Sequence, residues 1–303
     1  MLGIALIVLM ATCFASMDST IRYLGAFLPV LLILWLRYSF QAVVMLVWLL
    51  VARWRGRRDA FRAAHPRFQA VRGLLLLCTS AMSFYGVQHM PVAEFTAINM
   101  LTPVLVTLLA ATVLHEPVSR LRWALVVGGF AGALIVIRPG SGLFGWAVLF
   151  PLAGALSYAS FQVLTAKLSA LESPYTTHFY TGLTGMLALS PLLALLPSLD
   201  IVGTLQAATP GQLGLLALVG LLGTVGHLLL ILALGLAPTG TLMPFVYVQI
   251  AVAAAIGWLA FDHAPDGYAW LGMGVLSACG AASAWLNVRR QRPAPVVVDT
   301  IAD

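Results

Sequence analysis

Ionisable side chains inside long apolar runs are the first chemistry this sequence offers. Asp18, Arg37, His89, Glu94 and His227 each sit within or at the edge of such a run. A charge is costly there, so its presence argues for function. Asp18 stands four residues before Arg22, the spacing of an intrahelical ion pair. Its other uses are as a proton site or a seat for a substrate amine. Arg37 suits a substrate carboxylate, a side chain snorkelling to the headgroups, or a partner for Asp18 or Glu94. His89 and His227 either bond neighbouring backbone and hydroxyl groups or shuttle protons, because histidine as a residue type titrates near neutrality. Arg37, Glu94 and Glu116 also read as structural charges.

Neutral polar and aromatic residues form a second set. Tyr85 falls in the third apolar run, Asn99, Thr102 and Pro103 in the fourth, Tyr158 and Gln162 in the sixth, and Tyr247 and Gln249 in the ninth. Pro103 and Pro244 should leave backbone carbonyls without helical partners, and those carbonyls, with amides and hydroxyls, suit an ammonium or a carboxylate. The tyrosines suit the wall of a pocket for an apolar or aromatic group. The competing reading is that these residues hydrogen-bond helix to helix. Cys13, Cys78 and Cys279 lie singly in apolar runs, with no metal-site or redox spacing. HExxH, GxSxG and P-loop patterns are absent, so no enzyme, cofactor or metal is expected and ATP hydrolysis by this chain is excluded as a driving force.

The elements that must position these residues follow from composition. Of 303 residues, 61% are hydrophobic and 9% charged, and the mean hydropathy is +0.98. Soluble domains are about 25% charged, and a soluble core of this size has no room for so much apolar surface. The expected fold is therefore an all-α integral membrane protein. Runs near 20 residues give ten transmembrane helices, at 2–22, 29–52, 71–90, 93–114, 121–138, 144–166, 175–197, 211–236, 239–261 and 267–288. No cleavable leader is expected, because a basic stretch does not precede the first run.

Placement of the 16 basic residues orients the chain. With the N-terminus in the cytoplasm, Arg53, Arg55, Arg57, Arg58, Arg62, Arg67, Arg72, Arg120, Arg122, Lys167, Arg289, Arg290 and Arg292 all fall inside, leaving Arg22 and Arg138 outside. Both termini are expected to be cytoplasmic in a cell (inner) membrane. The basic, aromatic segment 53–68 reads as lying on anionic headgroups in preference to nucleic acid. The tail 291–303 reads as disordered.

The two halves share an ordered pattern. FASMDSTIRYL (14–24) is similar to YASFQVLTAKL (158–168), and LHEPVSRLRWALVVGG (114–129) to FDHAPDGYAWLGMG (261–274). The offset is about 145 residues, which spans five helices; five is odd, so the copies enter the membrane from opposite sides. This gives a 5+5 inverted-topology repeat, residues 1–143 and 144–290, an arrangement suited to exposing a central site to either side. Gly128-x-x-x-Gly132, matched by Gly274 and Ala278, permits close helix packing and leaves a homodimer open.

These features resemble the EamA-type members of the drug/metabolite transporter superfamily. The resemblance rests on the ten runs, the duplication, Leu114-His115-Glu116-Pro117 and the glycines Gly128, Gly129 and Gly132. Trp35-Leu36-Arg37-Tyr38 is similar to the family's arginine in the second span. Tyr247-Val248-Gln249 followed by Gly257-Trp258-Leu259 resembles the aromatic amino acid exporters within it. The second half carries His263 where the first has Glu116, so a role needing an acid in both halves is not expected. The resemblance implies a secondary transporter exporting small neutral amino-acid-type metabolites such as aromatic amino acids. Other metabolites or drugs, such as nucleosides and cationic compounds, remain alternatives, as does a membrane enzyme or lipid scramblase. The expected partners are a small-molecule substrate and membrane lipids.

Overall fold

The computed structural model describes residues 2–57, 60–113, 120–138, 141, 143–169, 172–196, 200–236, 242 and 245–290. Glu116, Pro117, Pro244 and the tail 291–303 lie outside these. The described residues are helical, without strands. The elements are α1 (Leu2–Leu24), α2 (Val30–Trp54), α3 (Pro66–His89), α4 (Val92–Asn99), α5 (Thr102–Val113) and α6 (Arg120–Ile137). A 3-10 turn (Gly145–Val148) leads into α7 (Leu149–Ser169), then α8 (Pro174–Ala194), α9 (Ile201–Ala207), α10 (Pro210–Leu236), α11 (Val248–Phe261) and α12 (Gly267–Arg290). Helices are the form that lets an apolar chain satisfy its own backbone in lipid. By length and composition, Leu2–Leu24, Val30–Trp54, Pro66–His89, Gly145–Thr165 and Pro210–Ala233 are each able to cross a bilayer, and Val92–Val106, Trp123–Ile137 and Val248–Phe261 are shorter apolar helices. The chain is a multi-pass membrane protein.

Local chemistry fixes the helix ends. Proline opens α3 and α8 at the first turn, where its missing N–H costs nothing. Thr209 and Gln212 cap α10 reciprocally, Thr209 N donating to Gln212 Oε1 (2.9 Å) and Gln212 N to Thr209 Oγ1 (3.3 Å). Asp266 accepts from Ala269 N (2.8 Å) and pairs with Arg138 (2.7 Å), tying the end of α6 to the start of α12. That backbone hydrogen bond, helped by Arg138, holds the Asp266 carboxyl below its ordinary pKa. A depressed folded-state pKa adds stability above the unfolded value, lost as pH falls through the folded one. Acidification is therefore expected to lower the protection factor of the Ala269 amide, its exchange measured against the unstructured rate at the same pH, and Asp266→Asn to remove that change in protection.

The fourth apolar segment, expected as one helix, is broken. α4 ends at Asn99 and α5 begins at Thr102. Pro103 has no N–H to return to the Asn99 carbonyl. The Thr102 hydroxyl takes that place, donating to Asn99 O at 2.8 Å. The carbonyl expected to be free for a ligand is thus already occupied.

The main packing pairs are α1 with α10, α2 with α8, α3 with α7 and α6 with α12. α1 also meets α11 as α7 meets α4 and α5, and α2 meets α10 as α8 meets α3. Replacing α1, α2, α3 and α4–α5 by α7, α8, α10 and α11, and α6 by α12, reproduces these pairings. Between α6 and α12 the backbones touch. A Cβ on Gly132 would come 2.9 Å from Leu276 N and 3.0 Å from Gly272 O, and one on Gly128 2.6 Å from Cys279 Sγ. The glycine face is therefore covered inside the chain, and its counterpart is Gly272, not Gly274, which faces open space. Gly132→Leu must push these helices apart; it should cost about 1–3 kcal/mol, read as a lowered unfolding temperature in detergent.

Candidate functional site

Three buried polar clusters lie along the bundle, each joining elements from both halves. The central one is built on α1, α2, α3, α8 and α10. Arg37, 1% exposed, lies over the Tyr38 ring at 4.5 Å and donates from Nη1 to Ser80 Oγ (3.2 Å). Tyr38 Oη shares a 3.0 Å hydrogen bond with the same hydroxyl. Gly223 makes room: a Cβ there would meet Arg37 Nε at 2.7 Å and Met17 Sδ at 3.2 Å. Snorkelling is thereby ruled out for this arginine.

His227 Nδ1 sits 2.9 Å from Gly223 O and 3.3 Å from Arg37 Nη2. A carbonyl accepts, so Nδ1 carries the proton, and Arg37 Nη2, also a donor, gains no bond from it. The Nε2 lone pair is left to accept. His178 has a consistent tautomer too: Nε2–H donates to Thr224 O (3.2 Å), and Nδ1 accepts from Gln41 Nε2 (3.3 Å). The two imidazoles stack at 6.4 Å, and Phe14 covers His227 at 4.7 Å.

Asp18 is 4% exposed and within electrostatic reach of Arg37, yet the ion pairs among the described residues are Arg138–Asp266 and His263–Glu94. Asp18 and Arg37 therefore do not touch. Asp18 Oδ1, Arg37 Nε and Gln41 Oε1 are buried without hydrogen-bond partners. Opposite charges held apart, each with bonding capacity to spare, make an incomplete site.

The second cluster lies toward the arginine-rich loop. Arg72, 1% exposed, donates to Thr165 Oγ1 (2.7 Å), Gln69 Oε1 (3.1 Å) and Thr177 O (3.2 Å). Gln69 in turn bonds Glu172 and Thr177. Its place among the cytoplasmic-side charges does not reveal that Arg72 is buried by these partners. At the other end, Glu94 Oε1 meets His263 Nε2 at 3.1 Å, and Arg22 donates to Val87 O (3.2 Å) and Met90 O. Those are terminal carbonyls of α3, electron-rich and without helical partners. They outcompete Asp18, so the expected Asp18–Arg22 pair is not formed. Glu94 is buried, with Oε2 unpartnered.

The residues expected to bind substrate divide. Asn99 is buried with Oδ1 unpartnered, 3.4 Å from where a Cβ on Gly154 would stand. One turn further along α7, half-buried Tyr158 stands one turn before Gln162 and lies within electrostatic reach of Arg37; its ring stacks on Phe161 at 5.7 Å. Tyr158 thus approaches the central cluster, and Asn99 faces the same helix at Gly154. Gln249 is buried on α11. Tyr247 lies across Gly280, where any side chain would collide with it, and donates to Met100 O (3.5 Å). With Thr102 it braces the break, and Pro103, half-buried beside them, creates that break. Tyr85 and His89 are exposed in an aromatic cluster with Phe150 and Trp146, about one and a half and two and a half turns from Ser80 along α3. His178 and Gln41 were missed. A histidine in the first turn of a run reads as interfacial, and its partner is far away in sequence.

Comparison with known proteins fits this architecture. The sequence model of the EamA-like transporter family matches residues 1–138 and again 145–284. The riboflavin transporter of Rhizobium johnstonii is 28% identical, covering 77% of this chain and 75% of that one. The S-adenosylmethionine uptake transporter of Rickettsia prowazekii is 24% identical over 82% and 81%. The pseudopaline exporter of Pseudomonas aeruginosa is 28% identical over 87% and 89%. A protein of known crystal structure, 21% identical, superposes with a TM-score of 0.62 over 96% of this chain and 98% of its own, a likeness of fold. These names do not carry the narrower likeness to aromatic amino acid exporters. With both halves matched, the chain belongs to the EamA-like transporter family.

Proposed function

We propose that this protein is a secondary transporter exporting a small amino-acid-type zwitterion. In this reading, ten spans form two inverted five-helix halves, residues 1–143 and 144–290, which rock about the central cluster. Both termini face the cytoplasm of an inner membrane. The observation that carries the substrate class is the separated pair Asp18 and Arg37, each buried with an unpartnered polar atom. An ammonium on Asp18 and a carboxylate on Arg37 would complete both at once. Asn99, Tyr158 and Gln162 supply the neutral wall, and His227 Nε2 a further acceptor.

Counterflow in proteoliposomes tests this. Liposomes preloaded with unlabelled amino acid should accumulate the labelled compound, and N-acetylation of the substrate should weaken the signal strongly. Riboflavin and S-adenosylmethionine, taken from the names of relatives, form the comparison arms. Saturable flux of riboflavin with none for amino acids would overturn the zwitterion reading while leaving a transporter.

A further inference from the structure

A cavity of about 420 Å³ opens between the end of α2 and the start of α8, away from the central cluster. Its polar wall is Gly56, Arg57, Ser173 and Thr176, and its apolar wall is led by Trp48, whose ring stacks on Tyr175 at 5.4 Å. The loop that closes it is fastened down. Thr176 Oγ1 donates to Ala60 O (2.8 Å), Tyr180 Oη to Phe61 O (2.9 Å), and His65 N to Glu172 Oε1 (2.9 Å). Gly56 takes φ +96°, a turn that other residues rarely make, and delivers Arg57 to the rim.

The segment 53–68, which contributes Gly56, Arg57 and Ala60 to this cavity, carries six arginines and one aspartate. Arg53, Arg55, Arg57, Arg62 and Arg67 are exposed, and among the described residues none has a carboxylate partner. Glu172, which borders the cleft in sequence, is engaged by His65 N and Gln69. α8 begins here without a side-chain cap on Ser173, which adds positive potential from its first N–H groups.

Further along α2 lies a second cleft, of about 430 Å³ and almost wholly apolar, between Leu36, Phe40, Val43 and Val44 of α2 and Leu213 and Leu216 of α10. Val44, Val47, Trp48 and Val51 form an exposed ridge joining the two clefts. From Ala52 to Phe40 the helix rises about 18 Å, close to the ~15 Å of one hydrocarbon leaflet. A basic cup at the surface, continued by an apolar track of leaflet depth, is complementary in shape and charge to one anionic phospholipid.

We propose that the α2–α8 cleft binds an anionic phospholipid, its phosphate held by Arg57 and an acyl chain lying along α2 toward the α10 cleft. A zwitterionic headgroup fits less well, because its choline would face the arginines.

The test is thermal unfolding of the full chain in neutral detergent, titrated with dioleoyl phosphatidylglycerol, dioleoyl phosphatidylcholine or inorganic phosphate. Phosphatidylglycerol near saturation should raise the midpoint by about 5 °C, with no shift from the other two. Arg57→Gln should weaken the apparent affinity about tenfold, and Arg53→Gln, outside the cleft, should leave it nearly unchanged. Equal shifts from both lipids would mean that no headgroup is recognised, and a shift from phosphate matching that from phosphatidylglycerol would mean a free-anion site; either overturns the proposal. Equal losses from the two arginine variants would reduce it to diffuse attraction and overturn it too. Should Arg57→Gln not fold, the three wild-type titrations decide alone.

Discussion

Arg37→Gln is expected to lower counterflow by about 100-fold, since losing one member of a buried charge contact costs about 2–5 kcal/mol. Arg37→Lys should recover little, because a lysine cannot both bond Ser80 and present a second donor in the guanidinium plane. Asp18→Asn should be equally damaging for an amino acid. It should matter far less for the same compound lacking its amine. That crossed result separates ligand binding from loss of fold, because misfolding lowers both fluxes alike. Equal losses of both substrates in a variant with a normal unfolding temperature would remove Asp18 from the site.

The second large effect concerns the end of the bundle opposite the arginine-rich loop. Glu94 and His263 join the start of α4 to the connection after α11, and Arg22 joins α1 to the end of α3 while lying over Phe261 at 5.3 Å. The Glu94–His263 pair and the Arg22–Phe261 contact fasten one half to the other, so under the proposed rocking motion Glu94→Ala should favour the form open at this end. The contact of Arg22 with Phe261, which remains across the halves, limits the shift to about tenfold, or ~1.4 kcal/mol. In a variant with Cys13, Cys78 and Cys279 replaced by serine, a cysteine placed at Asn99 should react about tenfold faster with an impermeant thiol reagent added on that side. Unchanged reactivity would mean that the Glu94–His263 contact holds nothing shut.

Much of the helical layout is legible in the sequence because Pro, Gly and charge punctuate it. The run expected at 211–236 is α10, Pro210–Leu236, and that expected at 267–288 is α12, Gly267–Arg290. α3 begins earlier than its apolar run, at Pro66, because Gln69 and Arg72 are buried by partners from residues 165–177. Hydropathy cannot see such partners. The break at Met100–Leu101 was hidden because Pro103 acts one turn upstream of itself. α9 is a short surface helix capped by Asp200 (Oδ1 to Gly203 N, 2.9 Å), too brief to leave a periodic signal. Of the site, residue types were readable and pairings were not. Asp18, Arg37 and His227 stood out as costly in lipid, yet which of them meet depends on α1, α2 and α10 converging.

The interrupted fourth segment also constrains how the chain crosses the bilayer. α4 has 8 residues and α5 has 12, rising about 12 and 18 Å, so neither piece alone crosses the ~30 Å hydrocarbon layer. Only end to end, through Met100 and Leu101, do the two pieces together match its thickness. The same joint thus sets the depth at which Asn99 lies, about 12 Å from the start of the segment.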